Sequence, residues 1–243
     1  EFNSKTPYLY STSGVENDDN ATENKKVVII GSGPNRIGQG IEFDYCCVHG
    51  VESLKENNYE AIMINSNPET VSTDYDTANK LYFEPLSWNE VKAVLDKEKP
   101  NSVIIQLGGQ TPLKLARNIV KAGYTIAGST LEVIESTEDR DLFQKLCNTL
   151  NINQPQSEIA TSADALSKAV QNIGYPVLLR PSYVLGGRAM RVVQNDRELN
   201  NYLKVLSTTD DDGNPFNLGP ILVDEYLTDT VEIDVDLISD GTE

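Results

Sequence analysis

Basic residues, cysteine and histidine are all scarce in this sequence. It holds 20 Lys and Arg against 37 Asp and Glu, for a formal net charge of −17. That balance argues against a nucleic-acid partner, because a phosphate backbone requires a basic footprint. The three cysteines, of which Cys46 and Cys47 are adjacent, match neither a disulfide framework nor zinc-ligand spacing. We expect them to pack on apolar helix faces in a reducing compartment, and the only histidine, His49, to be structural.

Long apolar runs are missing as well. None approaches the ~18 residues of a membrane span, and no signal-peptide pattern is present, so we expect no membrane association and a cytoplasmic location. The 39% hydrophobic and 23% charged content is ordinary for a globular protein. A length of 243 residues predicts one or two domains.

The chain divides into three parts by pattern. Residues 1–24 are polar and aperiodic, as expected for a linker or the tail of a preceding region. In residues 25–130, apolar strands such as Lys26–Ile30 alternate with helical segments, which predicts an α/β domain with a mostly parallel sheet and helices on both faces. Residues 131–243 form a second unit. Its predicted helices are 138–150, 163–173 and 197–206, and its predicted strands are 157–160, 177–180, 190–193, 221–226 and 231–237.

The segment 178–190 is the most informative part of the chain. An apolar strand ends in Arg180, and Gly186 and Gly187 open a tight loop before the next strand. Glycines let backbone N–H groups approach a phosphate chain closely, and arginine supplies a planar fork for phosphate oxygens. We therefore interpret the segment as a nucleotide-triphosphate clamp. The alternative is a plain β-hairpin with an exposed arginine.

A second glycine loop, residues 31–40, follows the strand Lys26–Ile30 and precedes a helix. It departs from the dinucleotide-binding fingerprint, because Arg36 stands where the third glycine is needed. It departs from the P-loop because Gln39 and Gly40, rather than Lys and Ser or Thr, follow Gly38. The remaining interpretation is an anion-binding site, formed by backbone N–H groups at the helix N-terminus with Arg36 at the carboxyl ends of the strands.

Five motifs resemble the large chain of carbamoyl-phosphate synthase, and the resemblance runs from about Lys25 to the end of the chain. They are Pro34–Cys46, Asn67–Asp76, Gly108–Arg117, Glu138–Arg140 and Arg180–Met190. That large chain has two homologous synthetase halves. The first half's versions of these motifs differ, so this chain is similar to the second half, which phosphorylates carbamate. Residues 2–13 are similar to the end of the preceding oligomerisation region.

The resemblance implies a Rossmann-like pre-ATP-grasp domain over residues 25–130, followed by the N-terminal portion of an ATP-grasp domain over 131–243. Arg140 and Arg180 match the family's two phosphate-contacting arginines, which stabilise charge during phosphoryl transfer. Gly186 and Gly187 match the loop that folds over the β- and γ-phosphates.

Three further roles follow from the resemblance. The hinge Glu225–Leu227 matches the segment whose backbone reads adenine. Glu232 matches the carboxylate that accepts the ribose hydroxyls, since two acceptor oxygens suit a vicinal diol; its alternative is a solvated strand residue. Arg36 and Glu69 match residues that line the path carrying carbamate from the first active site, although such a pair is equally compatible with a structural ion pair.

The resemblance also implies cofactors and partners. The cofactors are ATP and Mg²⁺, whose Gln, Glu and Asn ligands lie on the sheet that would follow residue 243. We therefore expect this fragment alone to lack synthetase turnover. Expected partners are carbamate, the rest of the large chain and a glutaminase small subunit or domain. Two alternatives are another ATP-grasp ligase of the biotin-carboxylase type, which would carry more glycines and a lysine in place of Arg180, and a non-catalytic nucleotide-binding module.

Overall fold

The computed structural model describes residues 8–13, 19–36, 40–181, 190–206 and 220–235, with Leu237, Ser239 and Thr242. The chain forms two compact units, Glu1–Asn151 and Ile152–Glu243. Among the described residues, no helix combines the length and the apolarity needed to cross a membrane.

The first unit contains a five-stranded, all-parallel sheet with the strand order β1-β4-β3-β2-β5. Its strands are β1 Tyr8–Leu9, β2 Lys26–Ile30, β3 Glu60–Asn65, β4 Lys80–Phe83 and β5 Ser102–Ile104. Every residue of β2 is buried, which is the pattern of a strand covered on both faces. The predicted mostly parallel, doubly wound sheet is therefore confirmed.

Helices cover both faces of this sheet. The helices of this unit are α1 Glu42–Glu56, α2 Trp88–Glu98, α3 Gln110–Leu113, α4 Ala116–Lys121, α5 Leu131–Glu138 and α6 Arg140–Thr149. Helix α1 packs Cys47 and Val51 against one face, so the predicted apolar helix-face position of Cys47 is confirmed. The same prediction is wrong for Cys46, which is exposed because adjacent helix residues point about 100° apart. On the other face, Leu95 of α2 joins a core that includes Ile119 of α4.

Two strand predictions in this unit differ from the structure. The apolar pattern of residues 124–127 predicts a further strand, but these residues form only an isolated bridge between Ile126 and Val103. The bridge includes a hydrogen bond from Val103 N to the Thr125 carbonyl oxygen at 2.8 Å. Conversely, β1 lies in the polar segment that we expected to be a linker. It pairs with the edge strand β4, and its Tyr8 ring packs edge-on against Phe83 with centroids 5.2 Å apart.

The predicted helix 138–150 corresponds to α6, which begins at Arg140, and the preceding helix α5 was not predicted. Residue Asp139 ends α5 and is the N-cap of α6, since its side chain accepts a hydrogen bond from Leu142 N at 3.0 Å. Thr130 caps the N-terminus of α5 in the same manner. The cap at Asp139 explains why α6 begins at Arg140 rather than at the predicted residue 138.

The second unit contains a four-stranded antiparallel sheet with the order β6-β9-β7-β8. The strands are β6 Ser157–Ala160, β7 Val177–Pro181, β8 Arg191–Val193 and β9 Ile221–Glu225. Helices α7 Ala163–Ile173 and α8 Asp196–Leu206 pack on one face, where Val177, Leu179 and Val223 are fully buried. Leu178 and Arg180 alternate with them and lie on the opposite face.

The predicted strand 231–237 was wrong for residues 231–235, where the structure shows no strand. Val231, Ile233 and Val235 are 85%, 76% and 83% exposed. An alternation of apolar and polar residues predicts which side chains of a strand would be buried and which exposed. A strand also needs a neighbouring strand that hydrogen-bonds its backbone N–H and C=O groups. The described residues supply no such neighbour here.

Candidate functional site

The carboxyl ends of the central strands in the first unit carry two glycine loops that contact one another. The sheet order places β2 between β3 and β5, so the chain reverses direction across the sheet at the β2–β5 boundary. Ligands of open α/β sheets bind at such switch points. A Cβ added to Gly108 would lie 2.5 Å from the Ile30 carbonyl oxygen and 2.7 Å from the carbonyl carbon of Gly31. Only glycine permits this close approach of the two loops.

Asn65, the last residue of β3, connects the glycine loop after β2 to the loop that follows β3. Its Oδ1 accepts hydrogen bonds from Gly33 N at 3.0 Å and from Ser66 N at 2.9 Å. Its Nδ2 donates to Ser72 Oγ at 3.3 Å. The side chain therefore bridges two loops at one edge of the sheet, and the residue is only 1% exposed.

Helix α1 is tied to the same loop. Both carboxylate oxygens of Asp44 accept from Ser72 N, at 3.2 and 3.3 Å. On the inner side of this helix, burial, the Asp44 carboxylate and the neighbouring Cys46 raise the pKa of Cys47 to about 12. Cys47 is therefore a neutral packing residue, and the polar contacts at this edge are made by Asn65 and Asp44.

The two residues predicted to line a carbamate path lie at this edge. Arg36 follows the glycine loop of β2, and Glu69 lies in the loop after β3. Both are exposed. The Glu69 backbone N–H donates to Asn67 Oδ1 at 3.1 Å, and Thr73 Oγ1 donates to the Asn67 carbonyl at 2.7 Å, so the backbone beneath Glu69 is held in place.

The second unit places Arg180 on the sheet face opposite its helices. The guanidinium Nε donates to Oδ2 of Asp224 at 2.6 Å, and Nη2 forms an ion pair with the same oxygen at 2.5 Å. The two side chains reach each other because β7 and β9 are antiparallel neighbours with Leu178 opposite Asp224. The Arg180 side chain is 40% exposed and that of Asp224 13%, so the guanidinium is fixed yet accessible.

The hinge predicted to read adenine begins at the end of β9. The Glu225 N–H donates to the Gln156 carbonyl at 2.8 Å, while its carboxylate accepts from Gln156 N at 3.1 Å. Tyr226 N donates to the Pro176 carbonyl at 3.0 Å. Beyond this anchored point, Leu227 is 49% exposed and Glu232 is exposed. Arg180 and the start of the hinge thus belong to the same sheet.

Three predicted phosphate ligands lie outside what the structure describes. Arg140 is the first residue of α6, but its side chain is not among the described groups, and Gly186 and Gly187 fall in the omitted segment 182–189. Within the described residues, no group of three or more His, Cys, Asp and Glu is arranged to hold a metal ion.

Sequence reasoning missed Asn65 in the first unit and Asp224 in the second. Each is an ordinary polar residue at the end of an apolar strand, and its partners lie 32 and 44 residues away in Gly33 and Arg180. The one available signal was a polar side chain at a strand's carboxyl end. Such a signal does not identify the hydrogen-bond partner of the side chain, because strand pairing determines which residue lies beside it.

Solved structures identify the class of protein that this fold defines. The biotin carboxylase domain of the Hydrogenobacter thermophilus 2-oxoglutarate carboxylase, solved with MgADP, ADP and bicarbonate, aligns with a TM-score of 0.60 and 20% identity over 85% of this chain and 45% of that one. The N5-carboxyaminoimidazole ribonucleotide synthetase of Thermus thermophilus aligns with a TM-score of 0.57 and 13% identity over 83% and 47%. With the family matches below, the chain has a pre-ATP-grasp domain followed by the N-terminal part of an ATP-grasp domain.

Family models and curated relatives narrow this class to one family. Residues 23–136 match the carbamoyl phosphate synthase preATP-grasp domain, and residues 139–243 match the ATP binding domain of the carbamoyl-phosphate synthase L chain. The chain belongs to the carbamoyl-phosphate synthase large-chain family. It is 50% identical over 244 residues to the large chain of Ralstonia nicotianae and 51% identical over 243 residues to that of Gemmatimonas aurantiaca. It aligns over 99% and 100% of its own length but spans only 22% of each relative.

Proposed function

We propose that this chain is part of an ATP-dependent ligase that makes carbamoyl phosphate, and that it belongs to the second synthetase half, which phosphorylates carbamate. One observation carries the proposal. In a chain half identical to carbamoyl phosphate synthase large chains, Arg180 lies on the sheet face free of helices, oriented by Asp224 and accessible to a ligand.

The proposed nucleotide site follows the roles that the family resemblance implies. Arg140 and Arg180 contact the phosphates, together with the backbone of Gly186 and Gly187. The backbone of the hinge Glu225–Leu227 contacts adenine, and the carboxylate of Glu232 accepts hydrogen bonds from the ribose hydroxyls. The hydrogen bonds between Glu225 and Gln156 support this assignment, because they fix the point from which the hinge extends.

Phosphoryl transfer from ATP to carbamate leaves little covalent chemistry to the protein, so its contribution is positioning and electrostatic stabilisation. Arg180 Nε donates to Asp224 and Nη2 lies 2.5 Å from the same carboxylate oxygen, so Nη1 is proposed to contact phosphate oxygen. A guanidinium already fixed by a carboxylate needs little reorganisation when charge develops in the transition state. The pair therefore suits a preorganised phosphate contact.

Magnesium, when bound, would neutralise phosphate charge and align the transferred group. The described residues contain no cluster of three or more acidic, histidine or cysteine ligands for it. We assign no metal ligand within this chain, and the roles of Arg140 and Arg180 are derived independently of the metal.

Arg36 and Glu69 are proposed to line the path by which carbamate enters this half. Their support is their location at the carboxyl edge of the first sheet, on loops that Asn65 joins. In the whole enzyme, a glutaminase subunit or domain would supply ammonia, and the product would feed pyrimidine and arginine biosynthesis in the cytoplasm.

The phosphate assignment is tested in the full-length enzyme by ATP synthesis from ADP and carbamoyl phosphate, which isolates the second half. Arg180→Ala and Arg140→Ala should each lower this rate about 10- to 100-fold, because a charged hydrogen bond contributes roughly 1.5–3 kcal/mol. Arg180→Lys should restore only part of the rate, since an ammonium cannot reproduce a two-pronged contact.

Arg117→Ala is the matched control, because Arg117 is an exposed arginine paired with Glu135 on the helices of the first unit. It should leave the rate unchanged. Near-wild-type rates in folded Arg140→Ala and Arg180→Ala enzymes would refute the phosphate assignment. A thermal-shift assay separates these ATP-binding alternatives from a dinucleotide-binding protein, because ATP should stabilise this protein while NAD should not.

A further inference from the structure

The side chain of Asn65 is the only described one that hydrogen-bonds both the glycine loop after β2 and the loop after β3. Its Oδ1 accepts from Gly33 N at 3.0 Å, three residues before Arg36 in the sequence. The same oxygen accepts from Ser66 N at 2.9 Å, three residues before Glu69. Its amide also donates to Ser72 Oγ at 3.3 Å, beyond Glu69. The loops carrying Arg36 and Glu69 are thus held by one side chain.

The surroundings of Asn65 are closely packed. The residue is 1% exposed, and a Cβ added to the neighbouring Gly31 would lie 2.6 Å from its Cγ and 2.7 Å from its Nδ2. Gly33 adopts a φ of +76°, a left-handed conformation that favours glycine, with its N–H directed at Asn65. Gly31 therefore packs directly against the Asn65 amide, and the bridge between the loops is the asparagine side chain itself.

We propose that Asn65 is a positioning residue, which sets the spacing between Arg36 and Glu69 and so controls transfer of carbamate into this half. The inference rests on the proposed path function of that pair. Asn65 does not touch the substrate in this scheme. It acts through the backbone of the two loops, and its bond with Ser72 connects the arrangement to Asp44 of α1, since Ser72 N donates to that carboxylate.

The chemistry of the amide predicts how each substitution behaves. Asn65→Ala removes the acceptor of the Gly33 and Ser66 N–H groups and so removes the hydrogen bonds that join the two loops. Asn65→Asp keeps an acceptor for Gly33 and Ser66, and the Ser72 hydroxyl can donate to the new carboxylate. The aspartate variant should therefore resemble the wild type in loop spacing, while the alanine variant should not.

The test measures coupling in the full-length enzyme, as ATP consumed per carbamoyl phosphate formed. Two partial reactions are measured in parallel: bicarbonate-dependent ATP hydrolysis for the first half, and ATP synthesis from ADP and carbamoyl phosphate for the second. Asn65→Ala should lower overall synthesis about 10-fold or more, because a displacement of ~1 Å in a supporting shell can have that effect. Both partial reactions should persist, and Asn65→Asp should restore coupling.

Asn101→Ala is the matched control. Asn101 Oδ1 also accepts from a strand backbone, Lys26 N at 2.9 Å, but at the opposite edge of the same sheet. The control should lower the melting temperature without altering coupling. Equal uncoupling by Asn101→Ala, or parallel loss of both partial reactions in Asn65→Ala, would overturn the proposal. If Asn65→Ala does not fold, Ser72→Ala replaces it, since it removes only the acceptor of Nδ2.

Charge-reversed Glu69→Lys distinguishes failure of this inference from failure of the path assignment. If Glu69→Lys uncouples the halves and Asn65→Ala does not, the positioning role of Asn65 is wrong and the path stands. If neither variant uncouples them, the path assignment is wrong, and the role of Asn65 is refuted with it.

Discussion

Arg180 and Asp224 form a two-pronged ion pair in which Nε and Nη2 of the guanidinium converge on one carboxylate oxygen at 2.6 and 2.5 Å. The Arg180 side chain is 40% exposed, so solvent screens the pair and its contribution to stability is small, at most about 1 kcal/mol. Its structural consequence is orientation. Because β7 and β9 are hydrogen-bonded neighbours, the guanidinium is held on the face opposite helices α7 and α8.

Replacing Asp224 by asparagine should impair catalysis more than stability. In the full-length enzyme, Asp224→Asn should lower ATP synthesis from ADP and carbamoyl phosphate by roughly 3- to 10-fold, because Arg180 loses its orienting charge while keeping its own. The thermal midpoint should change little. Asp164→Asn, at the exposed start of α7, should have no effect on the rate. A full rate in Asp224→Asn would show that Arg180 needs no orienting carboxylate.

Charge reversal at the proposed carbamate path should separate the two halves of the enzyme. Glu69→Lys and Arg36→Glu should each lower overall carbamoyl-phosphate synthesis while each half's partial ATP reaction stays largely intact. The reason is that both residues are exposed at a sheet edge rather than packed in a core. Equal loss of both partial reactions would instead indicate a structural ion pair.

Buried Glu98 should make the first unit sensitive to acid. Its carboxylate accepts from Lys26 Nζ and Lys80 Nζ, each at 3.1 Å, and from the Tyr82 hydroxyl, with a side-chain exposure of 0%. Glu98→Gln should destabilise the chain by about 3–5 kcal/mol, because it removes the counter-charge of buried Lys26 and leaves Lys80 with Asp19 alone, at 2.9 Å. Urea unfolding at neutral pH measures the loss. Asp96→Asn, on the exposed side of the same helix, should cause a much smaller loss.

The pH dependence of this contribution has a defined sign. Burial alone would raise the pKa of Glu98, but the hydrogen bonds from Tyr82, Lys80 and Lys26 outweigh it and hold the pKa below its ordinary 4.5. A lowered folded-state pKa means that the stabilisation is present above pH 4.5 and is lost as pH falls through the folded value. The stability gap between wild type and Glu98→Gln should therefore shrink in acid. A gap that widens there would contradict this sign.

The three cysteines should differ sharply in reactivity. Cys46 is exposed, whereas Cys47 and Cys147 are buried. Burial, Asp44 and Cys46 raise the pKa of Cys47 to about 12, so almost no thiolate forms there at a mildly alkaline pH. An aromatic disulfide reagent should label one thiol rapidly, and Cys46→Ser should abolish that fast phase. All three should react in denaturant, and a persistent fast phase in Cys46→Ser would disprove the assignment.

Much of the fold could be predicted because its elements bury continuous or strictly periodic apolar residues. β2 is apolar along nearly its whole length and buried on both faces, as a central parallel strand must be. The predicted bounds of β6 and α7 agree with the structure at both ends, 157–160 and 163–173. Where the local apolar pattern and the tertiary packing favour the same element, the sequence is sufficient to predict that element.

Predictions were wrong where a partner strand or a cap decides the outcome. Residues 231–235 alternate as a strand does, yet they remain exposed and form no strand among the described residues. The short β1 has no sequence signal, and it forms because the edge of β4 offers unpaired backbone groups. Helix α5 was not predicted, and the Asp139 cap sets the start of α6 two residues after the predicted one.

The amino-acid sequence was enough to predict the parallel sheet of the first unit, the family resemblance and the candidate residues Arg36, Glu69 and Arg180, because hydrophobic periodicity and motif chemistry are local properties. The folded chain was needed to learn that Asp224 holds Arg180 and that Asn65 joins the two loops. Those contacts join residues 44 and 32 positions apart, and strand pairing brings them together. No local pattern encodes which distant polar group will satisfy a buried hydrogen-bonding atom.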